Sequence, residues 1–216
     1  MRLISAAALA LTMSATAAPL SVAIAADLKN PVVVELFTSQ GCYSCPPAEA
    51  FLGDLAAQKT VLALEFHVDY WDELVHGGDG RWKDVFSKNE YTQRQRGYNQ
   101  RIRGRANVYT PQMVIDGRLE AVGSRRLSVL SAIRSAETAR NQRVGVDVIL
   151  ASGNVQSVNL SGAVKASGSV WLVRYIKAQE TRVQSGENKG KALLSHNIVT
   201  DMRKIGAWSG KPQEIS

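Results

Sequence analysis

The sequence predicts an α/β protein in which helices flank a central mixed sheet and a small antiparallel β module follows. Apolar runs of strand length alternate with helical patterns up to residue 141. A proline-initiated hairpin precedes the last helix, and beyond residue 142 short alternating stretches between Ser-Gly turns replace the helices. With 216 residues, of which 45% are hydrophobic and 21% charged, the chain can bury one good core.

The first 25 residues have the pattern of a removable signal peptide. Arg2 supplies the positive start, an apolar run follows at 3–13, and small residues at 23–25 form the best cleavage signal, with 15–17 as the alternative. The apolar run is too short to span a bilayer. We therefore expect an exported protein, periplasmic or secreted, with an uncleaved N-terminal anchor as the alternative.

A Cys-x-x-Cys motif at 42–45 lies between a predicted strand and a predicted helix. The apolar run at 32–37 predicts the strand before the motif, and the run at 61–66 predicts the next strand. Between them, apolar residues recur at the spacing that places them on one helix face: Ala48, Phe51, Leu52, Leu55 and Ala56. The motif thus stands at the start of a helix, directly after a strand.

The remaining elements complete a familiar order. The Gly- and charge-rich segment 73–86 predicts a loop or lid. The elements predicted after it are a polar helix at 87–104, a strand at 110–115, a hairpin return at 119–122 and a helix at 124–141. This is the element order of the thioredoxin fold. We assign a thioredoxin-like domain to 26–141 and a C-terminal β module to 142–216, with strands at 144–150, 155–164 and 170–176.

The chain has two cysteines, Cys42 and Cys45, and both belong to this motif. A loop this short constrains the unfolded chain little, which argues against a mainly structural bridge. A helix N-terminus stabilises a thiolate, so we expect an exposed Cys42 to attack and Cys45 to resolve the mixed disulfide. No dissociable cofactor is needed, because the redox-active disulfide Cys42–Cys45 carries the electrons. An inert pair or a metal site are the alternatives, although zinc normally takes four ligands.

Three further residues fit a thioredoxin-like site. Thioredoxin-like proteins carry a cis-proline that packs against the disulfide, and the backbone before it binds the substrate chain. Thr110 and Pro111 open a strand at this place, so we expect a cis bond and a substrate-binding role. Thioredoxins also carry a buried acid that relays a proton to the resolving cysteine. Glu35, on the same pleat face as Phe37, is the candidate, with an exposed or salt-bridged glutamate as the alternative.

A polar and aromatic cluster at 67–72 ends the second strand, at the edge where open α/β sheets bind ligands. His67 is a candidate to tune a thiolate, or to bind copper together with Cys42 and Cys45; a satisfied structural histidine is the alternative. Tyr43 and Trp71 are candidates for a substrate platform, with packing under the lid as the alternative for Trp71.

The formal net charge is +7, and basic residues are dense between positions 81 and 105. The stretch holds Arg81, Lys83, Lys88, Arg94, Arg96, Arg101, Arg103 and Arg105 against Asp84 and Glu90. This pattern is typical of a solvated helix that tucks its aromatic residues inward, and weak contact with anionic envelope surfaces is the other interpretation. We expect no nucleic-acid partner for an exported chain.

Four stretches in order resemble a bacterial secreted family known as domain of unknown function 1223, which has a thioredoxin-like fold. They are Val-Val-Val-Glu-Leu-Phe-Thr-Ser-Gln-Gly-Cys-Tyr-Ser-Cys-Pro-Pro-Ala-Glu (32–49), His-Val-Asp-Tyr-Trp-Asp (67–72), Tyr-Thr-Gln-Arg-Gln (91–95) and Tyr-Thr-Pro-Gln-Met-Val-Ile-Asp-Gly (109–117). The stretches 186–191 and 195–199 resemble the C-terminal β module of this family. Similar proteins continue past Trp208 with further strands, so we expect a trimmed module or an incomplete sequence here.

Together these observations predict an envelope thiol–disulfide oxidoreductase. Its expected partners are thiols and disulfides of proteins or small molecules. The alternatives are a non-catalytic binding module whose thiols are locked as a disulfide, and a copper(I) carrier.

Overall fold

The computed structural model of the chain describes residues 30–76, 82–139, 144–151, 154–161 and 167–216. The predicted signal peptide lies outside these ranges. The described elements are β1 (Val32–Thr38), α1 (Pro46–Ala56), β2 (Val61–His67), α2 (Tyr70–His76), α3 (Asn89–Arg103), β3 (Gln112–Ile115), β4 (Leu119–Val122), α4 (Arg126–Thr138), β5 (Gly145–Ala151), β6 (Asn154–Ser161), β7 (Gly168–Arg182), β8 (Ala192–Trp208) and β9 (Gln213–Ile215). No helix within the described ranges has the length and apolar character needed to cross a membrane.

Six strands form one mixed sheet in the order β4-β3-β1-β2-β8-β7. The pairs β1–β2 and β2–β8 are parallel, whereas β1–β3, β3–β4 and β7–β8 are antiparallel. The connection between β1 and β2 passes through α1, because parallel neighbours need a crossover. The predicted α/β class with a mixed sheet is therefore confirmed.

The central strand β1 is buried on both faces, which explains its nearly continuous apolar sequence. Because side chains alternate along a strand, Val34 and Leu36 face one layer while Phe37 faces the other. The first layer consists of α1 and α4, which pack residues such as Leu52 and Ile133 against the sheet. The second layer is α3, whose buried tyrosine rings contact phenylalanines of β1 and β2. Each fully buried apolar side chain of this size contributes about 1.5–3 kcal/mol.

Residues beyond 142 contribute to two sheets. A small antiparallel sheet is present as predicted, but its strands are β5, β6 and β9: the predicted strands 144–150 and 155–164 correspond to β5 and β6, whereas 170–176 lies in β7. The long hairpin β7–β8 instead extends the main sheet, where Ile198 of β8 lies opposite Glu65 of β2. Val158 and Trp208 belong to a third core, which joins the small sheet to the far end of this hairpin. The boundary at 141/142 therefore marks a change of secondary structure and does not separate the two sheets.

The segment 73–86 differs from the predicted loop or lid. Its first residues continue α2, which begins at Tyr70 and ends at His76. After residues 77–81, which lie outside the described ranges, Asp84 is fully buried and its carboxylate and backbone bond to the body of the protein. The prediction of a loop was therefore wrong for 73–76, whereas 82–86 lies outside helices and strands; the buried carboxylate is tolerated there because hydrogen-bond partners satisfy it.

Candidate functional site

The two cysteines form a disulfide at the start of α1. Their Cα atoms are 5.4 Å apart, within the ordinary range for a disulfide. Cys45 is the N-cap residue of the helix, and its N–H donates to the carbonyl oxygen of Cys42 at 3.2 Å. The hydroxyl of Ser44 lies 3.4 Å from the sulfur of Cys42. The pair thus occupies a single turn that leads from the end of β1 into the helix, as the sequence predicts.

The positive end of α1 offers few free donors to this pair. Pro46 and Pro47 occupy the first two helical positions and have no N–H groups. The next two N–H groups, of Ala48 and Glu49, both donate to the carbonyl oxygen of Cys45. A thiolate beside this helix would therefore be stabilised by the helix dipole more than by hydrogen bonds from its first turn.

The sulfur-bearing residues are covered. Cys42 is 1% exposed and Cys45 is 0% exposed, so the prediction of an exposed attacking cysteine was wrong for this state of the protein. The adjacent Gly41 shows how closely the cover approaches, because a Cβ placed there would lie 3.1 Å from Val75 and 3.4 Å from Trp82. The sequence could not reveal this burial, because the covering residues lie far along the chain.

The loop at residues 183–191, which joins β7 to β8 and which we call the tip loop, lies against the residues around the disulfide. It contacts the disulfide loop, residues 39–45. The side-chain amide of Asn188 donates to the carbonyl oxygens of Gln40 at 3.0 Å and Cys42 at 2.8 Å. The N–H of Glu187 donates to Gly41, and the Glu187 carboxylate accepts from the N–H of Tyr43 at 2.7 Å. The tip loop therefore binds four consecutive residues of the disulfide loop.

The sequence signal for the tip loop was the stretch Gly-Glu-Asn-Lys-Gly-Lys at 186–191. The resemblance assigned this stretch to the β module and gave it no role at the cysteines. Its last lysine, Lys191, donates to the side-chain oxygen of Asn188 at 2.9 Å and places its ammonium group 4.8 Å from the centre of the Tyr43 ring. The contact between the tip loop and the disulfide loop was not predicted.

Three of the predicted substrate-binding residues lie around the disulfide loop. Gln112 pairs with Phe37, so Pro111 lies alongside Thr38, where β1 enters that loop. The Thr110–Pro111 bond is cis, as predicted. The indole N–H of Trp71 donates to the hydroxyl of Thr110 at 2.7 Å, which brings these two residues together.

Tyr43, in the disulfide loop, is the most exposed of the residues predicted to bind substrate, with 67% of its surface exposed. Its ring and backbone are nevertheless held by the tip loop. A role in substrate binding stays a prediction for Tyr43, Trp71, Thr110 and Pro111.

Glu35 is not brought to the disulfide. Strand alternation directs its side chain toward α3, on the opposite face from α1. There the Arg94 guanidinium donates to both carboxylate oxygens, at 2.6 and 2.7 Å, and the Tyr98 hydroxyl donates at 2.6 Å. Glu35 is therefore a salt-bridged glutamate, which the sequence analysis gave as the alternative to a proton relay. Arg94 also shows that part of the predicted basic face is turned inward.

His67 is held between two buried carboxylates. Its Nε2 lies 2.8 Å from Glu65 and its Nδ1 lies 2.7 Å from Asp84, and all three side chains are fully buried. Burial alone would lower the pKa of His67, but the charges of Asp84 and Glu65 and their hydrogen bonds outweigh it and raise the pKa well above its usual value. Burial likewise opposes ionisation of Asp84, yet His67 and backbone N–H groups lower the pKa of Asp84.

This buried triad supports the disulfide loop, because the Asp84 carboxylate also accepts from the N–H of Gln40 at 2.7 Å. Both ring nitrogens of His67 are engaged, which is the arrangement of a satisfied structural histidine. For the predicted copper set of Cys42, Cys45 and His67, the two sulfurs are bonded to each other. In the part of the chain that the structure describes, no group of three or more His, Cys, Asp or Glu residues could hold a metal ion.

Glu49 is a buried acid on α1, one turn after Cys45, that the sequence analysis missed. Its position between apolar face residues was the available signal. The Thr38 hydroxyl donates to its carboxyl group at 2.6 Å. Burial, and secondarily the charge of Glu65, raise the pKa of Glu49 to about 8. A carboxylic acid that keeps its proton near neutral pH therefore stands on the helix that bears the disulfide.

Replacing Glu49 by glutamine should remove part of the pH dependence of stability. The folded-state pKa is raised from 4.5 to about 8, so the unfolded state releases this proton first as the pH rises. The contribution of protonated Glu49 to the free energy of unfolding is fully present below pH 4.5. It is lost as the pH rises toward 8, by about 1.4 kcal/mol for each pH unit between the two pKa values. Urea unfolding at pH 5, 7 and 9 should show Glu49→Gln gaining on the wild type as the pH rises.

The exposed Glu73 provides the matched control, because Glu73→Gln should follow the wild-type curve at every pH. His67 also has a raised pKa and contributes its own loss of stability at higher pH, but that contribution is common to all these proteins. If wild type and Glu49→Gln differ by the same amount at pH 5 and pH 9, Glu49 is ionised throughout and the assignment fails.

A cavity of about 890 Å³ lies away from the disulfide, between the main sheet and the small sheet. Its lining includes the Glu35–Arg94 ion pair and Trp171 of β7 on the side of the main sheet, and Val146 and Val148 of β5 on the side of the small sheet. None of its described lining residues belongs to the disulfide loop or the tip loop. The cavity and the cysteine pair are therefore separate features.

Fold and site together define an α/β protein with a covered Cys-x-x-Cys disulfide at the start of a helix. The family described as "Protein of unknown function (DUF1223)" matches residues 33–216, and the chain belongs to this family. The chain is also similar to a crystal structure of an Agrobacterium tumefaciens protein from a structural genomics consortium. Sequence identity is 32% and the TM-score 0.70, over 85% of this chain and 76% of the other. No curated protein matches.

Proposed function

We propose that this protein is an exported, thioredoxin-like thiol–disulfide oxidoreductase whose redox centre is the Cys42–Cys45 disulfide. The observation that carries the proposal is the position of the bond, with one sulfur in the loop after β1 and the other on the N-cap residue of α1. A bridge across three residues restrains the unfolded chain little, so its contribution to stability is a weak reason for its presence. A position at a helix N-terminus favours a reactive thiolate, and thiol–disulfide exchange would use that reactivity.

The proposed reaction moves two electrons. In the reduced protein, the Cys42 thiolate attacks one sulfur of a substrate disulfide, which forms a mixed disulfide and releases the other substrate sulfur as a thiolate. Cys45 then loses its proton and attacks the sulfur of Cys42, which releases the second substrate thiolate and forms the Cys42–Cys45 bond. The substrate disulfide is reduced to two thiols and the protein pair is oxidised. The structure holds the oxidised pair, and envelope thiols would reduce it again.

Neighbouring residues support this reaction. Thr110 and Pro111 lie alongside the end of β1, where they would position an extended substrate chain next to Cys42. Glu49 stands one turn from Cys45 with a pKa of about 8, which suits a group that exchanges protons near neutral pH.

A redox titration of the cysteine pair tests the proposal. The full protein is equilibrated in defined dithiothreitol or glutathione buffers and the free thiols are alkylated and counted by mass. We expect a reduction potential between about −270 and −120 mV, the range of thiol–disulfide oxidoreductases. A potential below about −300 mV is typical of structural bridges and would reject the proposal. A variant with Ser at both 42 and 45 gives the alkylation background.

A non-catalytic binding module of the cell envelope is the second candidate. It is favoured by the burial of both cysteines and by the 890 Å³ cavity, which is remote from them. In such a protein the disulfide would stay oxidised and the cavity would bind the ligand. The same titration separates the two candidates, because only the oxidoreductase requires a reducible pair.

A further inference from the structure

We propose that the tip loop is a gate over the redox centre, and that it must leave the disulfide loop before a thiol can reach the sulfur of Cys42. The inference rests on the proposed function only in that it regulates the same site. Its starting point is that Cys42 is 1% exposed, although its neighbours Tyr43 and Ser44 are exposed. A nucleophile must approach a disulfide along the sulfur–sulfur axis, so a covered pair is unreactive until its cover moves.

Asn188 is the central contact of the gate. It is fully buried, and its amide group is used completely, because the nitrogen donates to the carbonyl oxygens of Gln40 and Cys42 and the oxygen accepts from Lys191. These bonds cross 148 and 146 residues of sequence. Asn188 therefore fixes the position of the cover directly on the residue that bears the reactive sulfur.

The outer contacts of the gate are exposed to solvent. The Glu187 carboxylate binds the N–H of Tyr43, and the Lys191 ammonium lies over the Tyr43 ring. Contacts of this kind are weak in water, where solvent replaces them at little cost. The tip loop is thus held by the buried amide of Asn188, by the Glu187 N–H bond and the close approach of Gly186 to Gly41, and by these exposed contacts.

The tip loop is also built to move as a unit. Its internal hydrogen bonds join the N–H of Val183 to Lys191, the N–H of Gly190 to Val183 and the N–H of Lys189 to Gly186. None of these bonds involves the disulfide loop. Gly186 has a φ of +78°. It packs against Gly41, and a Cβ atom on Gly186 would come within 3.0 Å of the Gly41 Cα. The loop can therefore separate from the disulfide loop without losing its own fold.

The first test measures how fast the oxidised protein is reduced by dithiothreitol, with thiols counted by quenched alkylation. Asn188→Ala and the isosteric Asn188→Asp remove the buried donor, and each should accelerate reduction about tenfold or more. Glu187→Gln should give a smaller acceleration. Lys189→Ala, an exposed position in the same loop, should match the wild type. Equal rates in the wild type and both Asn188 variants would overturn the gate.

The second test uses the unmodified protein, so it holds even where an Asn188 variant fails to fold. Amide hydrogen exchange is followed by NMR for Glu187, whose N–H bonds across to Gly41, and for Val183, whose N–H bonds within the tip loop. Gate opening should make Glu187 exchange faster than Val183. Equal exchange of the two amides, at the rate of global unfolding, would overturn the proposal.

Failure of the gate and failure of the proposed function give different results. The first test reports access to a sulfur atom, the second reports opening of the hydrogen bond between Glu187 and Gly41, and neither needs enzymatic activity. A reduction potential below about −300 mV together with accelerated reduction of Asn188→Ala would remove the oxidoreductase and keep the gate. A potential in the catalytic range together with unchanged rates would keep the oxidoreductase and remove the gate.

Discussion

Cys42→Ser should abolish reduction of insulin-type disulfide substrates, down to the rate without protein. The variant lacks the sulfur that attacks the substrate in the proposed reaction, in which Cys45, the N-cap residue of α1, only resolves the mixed disulfide. Cys45→Ser should instead accumulate a mixed disulfide between Cys42 and the substrate, because no second thiol resolves it. Turbidity of reduced insulin measures the first effect, and non-reducing electrophoresis with mass determination measures the second.

Ser44 provides a matched control between the two cysteines. Ser44→Ala removes a hydroxyl 3.4 Å from the Cys42 sulfur but leaves both thiols, so it should retain activity and form no lasting mixed disulfide. Equal insulin reduction by wild type, Cys42→Ser and Cys45→Ser would end the assignment of a redox reaction to this pair.

His67→Ala should destabilise the protein by about 3–5 kcal/mol at pH 7, the effect typical of removing one partner from a buried ion pair. The substitution leaves Glu65 and Asp84 buried without the imidazolium that lies between them. It also loosens Asp84, which holds the N–H of Gln40 and through it the entrance to the disulfide loop. Urea unfolding followed by circular dichroism measures the change in free energy.

The histidine comparison needs a control with similar chemistry and a different environment. His196 is partly exposed, and its ring packs beside Gly53 of α1. His196→Ala should cost on the order of 1 kcal/mol or less, since it leaves no buried charge unpaired. A loss below 1 kcal/mol for His67→Ala would mean that the two carboxylates are protonated or hydrated in the folded protein, and the buried triad would not be ionic.

The sequence predicted most of the main sheet and the place of the cysteines because both depend on local signals. Apolar runs, the helix-face spacing after Cys45 and the Asp116-Gly117 turn act over a few residues. Strand β8 was missed because its alternation is interrupted: Asn197 has a positive φ of 49°, and Ile198 and Val199 are both buried. A pattern of period two cannot identify such a strand.

The site was predicted less well than the fold because its environment comes from distant parts of the chain. Alternation correctly grouped Glu35 with Phe37, but only the structure shows that this face packs on α3 and Arg94. Asp84 and Glu49 resembled ordinary surface acids in the sequence, and their burial depends on partners such as His67 and Thr38. The carbonyl oxygen of Cys42 accepts a hydrogen bond from a loop more than 140 positions later.

That distance along the chain has a consequence for how the protein matures. Until β7 and β8 join the edge of β2, nothing from residues 183–191 shields the two thiols, so oxidants in the surrounding compartment have free access to them. If the proposed gate operates, the bond should form before the hairpin docks. The docked hairpin would then preserve the oxidation state of the pair until its tip is displaced.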